Sequence, residues 1–497
     1  MMGKPLSLLL LLALGTQALA LDSLDVFVGD PEAALDSSER SLSASVSLHQ
    51  VGVASTLEGE TALTGFVSTS LVVTHDRWAG GLHFDDLRNA GTFFRRVMEA
   101  GWDHRGESGR NASRWRARWD WQPLPSVGVA IGRDTLSEGW GLRSLFRGRH
   151  NAPTPFAQIA LDGGGRLRYR HRIEALQGDR HIDCWTGAEG DPRTWVPPSG
   201  PIRTGIERMV VSHRVEVDFG RRLTGALWGA VLWNIEDGAR AFEPHYLMPL
   251  TSLRPTEYAQ GSSDNALVGL EGRIKLGQDW GRRPRTLYGQ FLLDELIVSE
   301  LLGGTQWWGN KFAALGGLRW DTRWGGWQWE ISAARPWTYS HFTRTAAYLN
   351  GITPLAHPLG ANFVETAWAG HWQAGAWQIH ARLTASIRGD DPTGETPTGS
   401  LPQVGDIQRT EDQYAWLNGT QRRRTVAFLD VARDLQLADD VAITAYVQAA
   451  VGRETTPLDG LAPEREMWIG LGLRSSCLLY TSPSPRDRQK TRMPSSA

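Results

Sequence analysis

The chain has 497 residues, with 52 lysines and arginines against 54 aspartates and glutamates, a net charge of −2. That balance argues against nucleic acid as a partner. Two cysteines, Cys184 and Cys477, leave no disulfide framework and no cysteine-built metal site.

The first segment carries Lys4, an apolar run from Leu6 to Leu14, and Ala18-Leu19-Ala20. A basic start, a short apolar stretch and an A-x-A site mark residues 1–20 as a secretory signal peptide. After Ala20 nothing approaches the roughly 20 apolar residues that a spanning helix needs. Such a chain can still enter a membrane as a closed β-barrel. Residues 21–40 form a short acidic leader, expected on the periplasmic side, and the barrel is expected over 41–474.

From about 41 to 474, period-2 segments are separated by turns rich in Gly, Pro, Asp and Asn. In 114–121, Arg114, Arg116, Arg118 and Asp120 alternate with Trp115, Ala117, Trp119 and Trp121. In 165–174, Arg166, Arg168, Arg170 and Arg172 alternate with Leu167, Tyr169, His171 and Ile173. Successive side chains of a strand point to opposite faces, so each segment has a charged face and a largely apolar one. Further along, 268–276, 287–294 and 327–334 repeat the pattern. Residues 377–388 carry it unbroken, with Trp377, Ile379, Ala381, Leu383, Ala385 and Ile387 on one face.

A soluble sandwich would hide the apolar face and wet the charged one, whereas a transmembrane barrel puts lipid outside and water inside. Arginine columns this dense favour the barrel. Trp78, Trp102, Trp121, Trp140, Trp233, Trp320, Trp337 and Trp416 sit near strand ends, where aromatic girdles lie. The turns 162–165, 219–221 and 324–326 suit the periplasmic end, and the polar stretches 177–204, 236–264, 338–362 and 389–422 suit the outer end. The fold class predicted is an all-β transmembrane antiparallel barrel of about 16–18 strands. Residues 477–497 lack any period, crowd four basic residues together and resemble a translated sequencing adapter. With 475–497 set aside, the last strand of the barrel is expected to be missing.

Several segments resemble the Wzi-type outer-membrane proteins of capsule assembly. They are Ile131-Gly132-Arg133-Asp134 followed by Glu138-Gly139-Trp140-Gly141; Asn151 to Phe156; Asn265 to Leu270 with Tyr288 to Glu295; and Arg335-Pro336-Trp337-Thr338-Tyr339-Ser340-His341 with His357 to Asn362. The resemblance spans roughly 120–474. It implies a monomeric outer-membrane barrel that acts as a surface lectin, in contact with outer-membrane lipid and tethering capsular or exopolysaccharide. The short leader does not supply the N-terminal helical domain some members carry.

No G-x-S-x-G, H-E-x-x-H or paired-cysteine pattern occurs, so no catalytic residue, metal or cofactor is expected. Asp85-Asp86 and Asp390-Asp391 have hard oxygens suited to calcium, although such pairs are more often solvated loop ends. Guanidinium forks hold carboxylates bidentately, so an arginine-lined lumen suits an acidic polysaccharide. Arg114, Arg116, Arg118, Arg166, Arg168, Arg170 and Arg172 are the candidates. The structural alternative is pairing with Asp120, Glu174, Glu216 and Asp218. Trp337, Tyr339 and Trp140 offer rings for sugar stacking, or else anchor a girdle. Arg335, His341, His357 and Asn362 either shape the binding surface or stabilise a long loop. The runner-up functions are a substrate-selective or polysaccharide-export porin and an outer-membrane hydrolase.

Overall fold

The computed structural model describes residues 41–51, 64–75, 77–88, 103–105, 111–177, 206–235, 243–248, 264–277, 285–342, 344–351, 353–390, 397–438, 441–455 and 464–479. The signal peptide, the leader and Trp102 lie outside them. The strands in chain order are β1 (Ser41–Val51), β2 (Thr64–His75), β3 (Trp78–Arg88), β4 (Asp103–Arg105), β5 (Asn111–Leu124), β6 (Val127–Asp134) and β7 (Thr154–Asp162). Next come β8 (Leu167–Gln177), β9 (Ile206–Phe219), β10 (Leu223–Asn234), β11 (Asn265–Leu276), β12 (Arg285–Glu295), β13 (Lys311–Thr322) and β14 (Gly325–Ala334). The last are β15 (Leu349–Asn350), β16 (Thr353–Pro354), β17 (Phe363–Ala374), β18 (Trp377–Asp390), β19 (Thr420–Ala438), β20 (Val441–Thr455) and β21 (Glu464–Leu479).

Nineteen strands form one sheet, and β15 pairs with β16 separately. Apart from the three-residue β4, each strand of the large sheet pairs antiparallel with the next in chain order. β21 pairs back onto β1, Leu42 opposite Leu479 and Leu48 opposite Leu473. The sheet therefore closes on itself. This corrects the expectation that the last strand is absent: residues 464–479 supply it, with outward Met467, Ile469, Leu471 and Leu473 carrying the period-2 pattern. Closure leaves no unpaired edge, which is the condition for a sheet to sit in lipid.

Following the cross-strand pairs keeps one set of side chains inside. Asp85 faces Arg114, Asp120 faces Ala130, Gln158 faces Arg172, Arg170 faces Arg214, Glu271 faces Gln290, and Ser332 faces Glu365. The opposite parity points out: Trp115, Trp119, Trp121, Ile131, Leu227, Leu270, Ile331, Trp368, Leu383, Leu429 and Val451 are all exposed. Short connections (125–126, 220–222, 323–324, 375–376, 439–440) and long ones alternate at the two ends. An outward aromatic belt marks the short-turn end. Trp78 faces Trp121 across the strand pair, Trp320 stacks on Trp327 at 6.2 Å, and Trp327 meets Trp372 edge-on at 4.5 Å. Trp233 is not girdle. It faces outward, but the helix α1 (Pro244–Leu247) lays Tyr246 over it, with Val211 and Val231 beneath.

Candidate functional site

The inward residues meet protein, because the 135–153 connection folds into the lumen. Its Glu138-Gly139-Trp140-Gly141 run lies against carboxylates of the opposite wall. The amide of Trp140 donates to Glu271 (2.8 Å), and those of Leu142 and Arg143 donate to Glu330 (2.6 and 3.1 Å). Gly139 has φ +104°, and a Cβ there would come within 2.0 Å of the Gln290 amide. Only glycine permits that approach.

Farther on, Leu145 and Phe146 have no solvent exposure. Phe146 stacks on Trp228 at 4.9 Å, and a Cβ on Gly269 would strike its ring at 2.3 Å. A second connection, β14 to β17, locks the first in place. The Tyr339 hydroxyl donates to the Leu145 carbonyl (3.1 Å), and the Tyr348 hydroxyl donates to that of Phe146 (3.0 Å). Together with Trp228, Leu232, Leu292 and Phe363 these residues form the largest apolar cluster in the described residues, inside the lumen.

Salt bridges tie the remaining inward charges. Arg114 pairs with Asp85 (3.1 Å), Arg116 lies 3.7 Å from Asp134, and Arg118 pairs with Asp120 (2.7 Å). Arg168 bonds Glu216 and Asp218, and Arg172 pairs with Glu174 (3.0 Å). Glu138, from the inserted loop, takes Arg170, Arg172 and Arg214 at once. Burial alone would raise its carboxyl, but the three guanidinium groups outweigh that and hold it below the usual range. Glu174 also binds Arg147 (3.0 Å), and Glu365 binds Arg143 (3.0 Å).

The predicted arginine columns thus share one lumen wall, in the paired arrangement given as their structural alternative. Arg166 is separate, exposed in the turn before β8. Arg118, Arg168 and Arg170 line a cavity of about 410 Å³ at the short-turn end, with Asp120, Gln158 and Glu216.

The other candidates serve the long-loop end. Trp337 and Tyr339 are fully buried with φ of 66° and 72°, so neither has a ring face open to sugar, and Trp337 is not girdle. Trp140 lies inside too, with Arg273 at 4.4 Å and Arg214 at 5.1 Å from its ring centre. Arg335 donates to the Tyr414 carbonyl (3.2 Å). His341 accepts the Asp406 amide through its own carbonyl (3.2 Å). His357, fully buried, lies 3.2 Å from Glu365 and stacks on Phe363. Asn362, at φ 55°, donates to the carbonyls of Gly389 and Asn418. Asp85 and Asp86 are in β3, not a loop, and point to opposite faces, so they cannot chelate one ion together. No group of three or more metal-ligating side chains occurs among the described residues.

The residues not foreseen as site-forming are Glu138, Glu271, Glu330 and Glu365, which receive or belong to the inserted loop. Glu271 and Glu330 already stood on the polar faces of their strands, which was the available signal.

Solved structures with the same fold are outer-membrane proteins. Wzi, an outer-membrane protein involved in group 1 capsule assembly in Escherichia coli and described as a carbohydrate-binding β-barrel, is 11% identical. The match covers 93% of this chain and 89% of that one, with TM-score 0.52. The fold is that of an outer-membrane β-barrel. OccAB2 of Acinetobacter baumannii (6% identity, 89% and 98% covered, TM-score 0.47) and OprD of Pseudomonas aeruginosa (9%, 90% and 97%, TM-score 0.45) are more distant in shape. No family model and no curated protein matches the sequence.

Proposed function

We propose that this chain is a Wzi-type outer-membrane β-barrel that holds an acidic surface polysaccharide at the cell surface, without catalysis. The observation that carries the reading is the filled lumen. Leu145, Phe146, Tyr339, Leu355 and Ala356 have no exposure, and a conduit for solute would have to displace them. A binding protein has no such need: it requires only a charged, rigid rim. The motif resemblance and the Wzi-like shape support this choice over the porin. For the hydrolase, Ser68 and Ser332 do lie within reach of His83 and His357 (3.2 and 3.3 Å). The same ring nitrogen also faces the carboxylate of Asp85 or Glu365, whereas a nucleophile–base relay puts the carboxylate on the other nitrogen.

Reconstitution into a planar bilayer tests the choice. The account expects no large stable conductance, together with retention of an acidic polymer by the same preparation. Large, steady channels in the parent protein would favour the porin and overturn the reading.

A further inference from the structure

Away from the inserted loop, β18, β19 and β20 end at the long-loop rim in an ordered row of charge. Arg388 donates from Nε to Asp390 (2.8 Å). Arg422 Nε lies 3.3 Å from Asp390 and 3.2 Å from Glu454, and Arg424 Nε lies 3.9 Å from Glu454. The order is Arg388, Asp390, Arg422, Glu454, Arg424: three cations against two anions.

All five groups sit at inward positions. Arg388 is directly opposite Arg422, and Arg424 is directly opposite Glu454. Asp390 bridges the like-charged pair Arg388 and Arg422, and the five groups together carry one positive charge in excess. Asp390 is fixed from behind by the Ser400 hydroxyl (3.0 Å), and Arg388 Nη1 reaches the Leu359 carbonyl (3.2 Å). The row is therefore rigid as well as charged.

Partial exposure sets these arginines apart from the buried ones of the wall. Their side chains are 20%, 38% and 31% exposed, against 4% for Arg114 and 3% for Arg172. Arg168, at 36%, and Arg170 and Arg273, at 27% each, are as open, but they lie toward the short-turn end, which in outer-membrane barrels faces the periplasm. We propose that Arg388, Arg422 and Arg424 are the cell-surface contact for the carboxylates of an acidic polysaccharide, a site that rests on the glycan-binding reading above. Glu454 occupies Arg422 from within, so it competes with an incoming uronate carboxylate for the same guanidinium group.

The competition supplies the test. Polygalacturonate is the probe, dextran the neutral control, and the material is full-length protein in lipid. The parent retains polygalacturonate and not dextran, and added salt weakens retention. R388Q/R422Q/R424Q lowers affinity tenfold or more. Glu454→Gln, which removes a carboxylate and leaves every cation, raises it threefold or more. Arg323→Gln, in the short connection 323–324 at the opposite end, stays within twofold of the parent. Heat-modifiable migration on gels verifies that each variant is folded.

Parent-like binding by the triple variant, or weaker binding by Glu454→Gln, overturns the site and leaves the function standing. A parent protein that retains no acidic polymer overturns both.

Discussion

Replacing Phe146 by alanine should release the inserted loop while leaving the barrel intact. The ring has no exposure, stacks on Trp228 at 4.9 Å and fills the space over Gly269. Truncating a buried phenylalanine costs about 3–5 kcal/mol through lost transfer energy and the cavity left behind. The β-wall is held by its own cross-strand hydrogen bonds, so the loss falls on loop docking. At about 1.4 kcal/mol per decade, the docked-to-undocked ratio falls by roughly two to three and a half decades. Arg143, Arg147 and Arg149 are trypsin sites within the loop, and Arg147 is 1% exposed in the parent. Trypsin digestion of the lipid-embedded variant should cut there at least a hundredfold faster, and single-channel recording should show openings the parent lacks. Parent-like cleavage and a silent bilayer together would refute the idea that Phe146 anchors the plug.

Other consequences follow from the same contacts. His150 is held neutral, its pKa brought down to about 3 by burial and then by Arg143. Because that folded value lies below the unfolded 6.5, docking is strongest above pH 6.5 and weakens as pH falls towards 3. The loss is at most about 3 kcal/mol by pH 4.5, less in proportion to residual solvent contact, and it is measured as tryptic access to the loop; access constant from pH 7.5 to 4.5 contradicts this. Glu138→Gln deprives Arg170, Arg172 and Arg214 of a shared counter-charge and should cost about 3–5 kcal/mol, lowering the heat-modifiability midpoint on gels. Asn362→Ala meets both the left-handed φ of 55° and the loss of its bonds to Gly389 and Asn418. Asn362→Gly keeps the backbone freedom and should lose about 1 kcal/mol less in thermal unfolding. Leu383→Arg puts a cation on the outer wall at the middle of β18, where about 2–4 kcal/mol is lost near the bilayer centre, and the folded yield in vesicles should drop accordingly.

Strand faces were legible because a strand has period 2 and one side of it must be apolar. Residues 114–121 and 377–388 therefore fall as read, with Trp115, Trp119 and Leu383 outside and Arg114, Arg116 and Arg382 inside. The contents of the lumen were not legible. The same alternation lines a wet channel or a plugged one, and the contacts that decide between them join Leu142 to Glu330 across 188 positions of sequence. Trp337 and Tyr339 resembled surface platforms, yet left-handed backbone turns them inward, and nothing in their neighbours' types announces that angle. For the arginines of 165–174 the pattern left glycan binding and carboxylate pairing both open; Arg168 and Arg172 pair with Glu216 and Glu174, while Arg166 stands apart in the turn. What the sequence could not convey was that Glu138, thirty-odd positions upstream, would swing in to share them.

Nitroxide scanning of β18 tests the central claim, that the aromatic and aliphatic face meets acyl chains and the guanidinium face is enclosed. Labels placed one at a time from position 377 to 383, with Cys184 and Cys477 changed to serine, are read for collision with dissolved oxygen and with a water-soluble nickel chelate. The account predicts oxygen access at 377, 379, 381 and 383 and chelate access at 378, 380 and 382. The opposite phase, or no alternation, would contradict it.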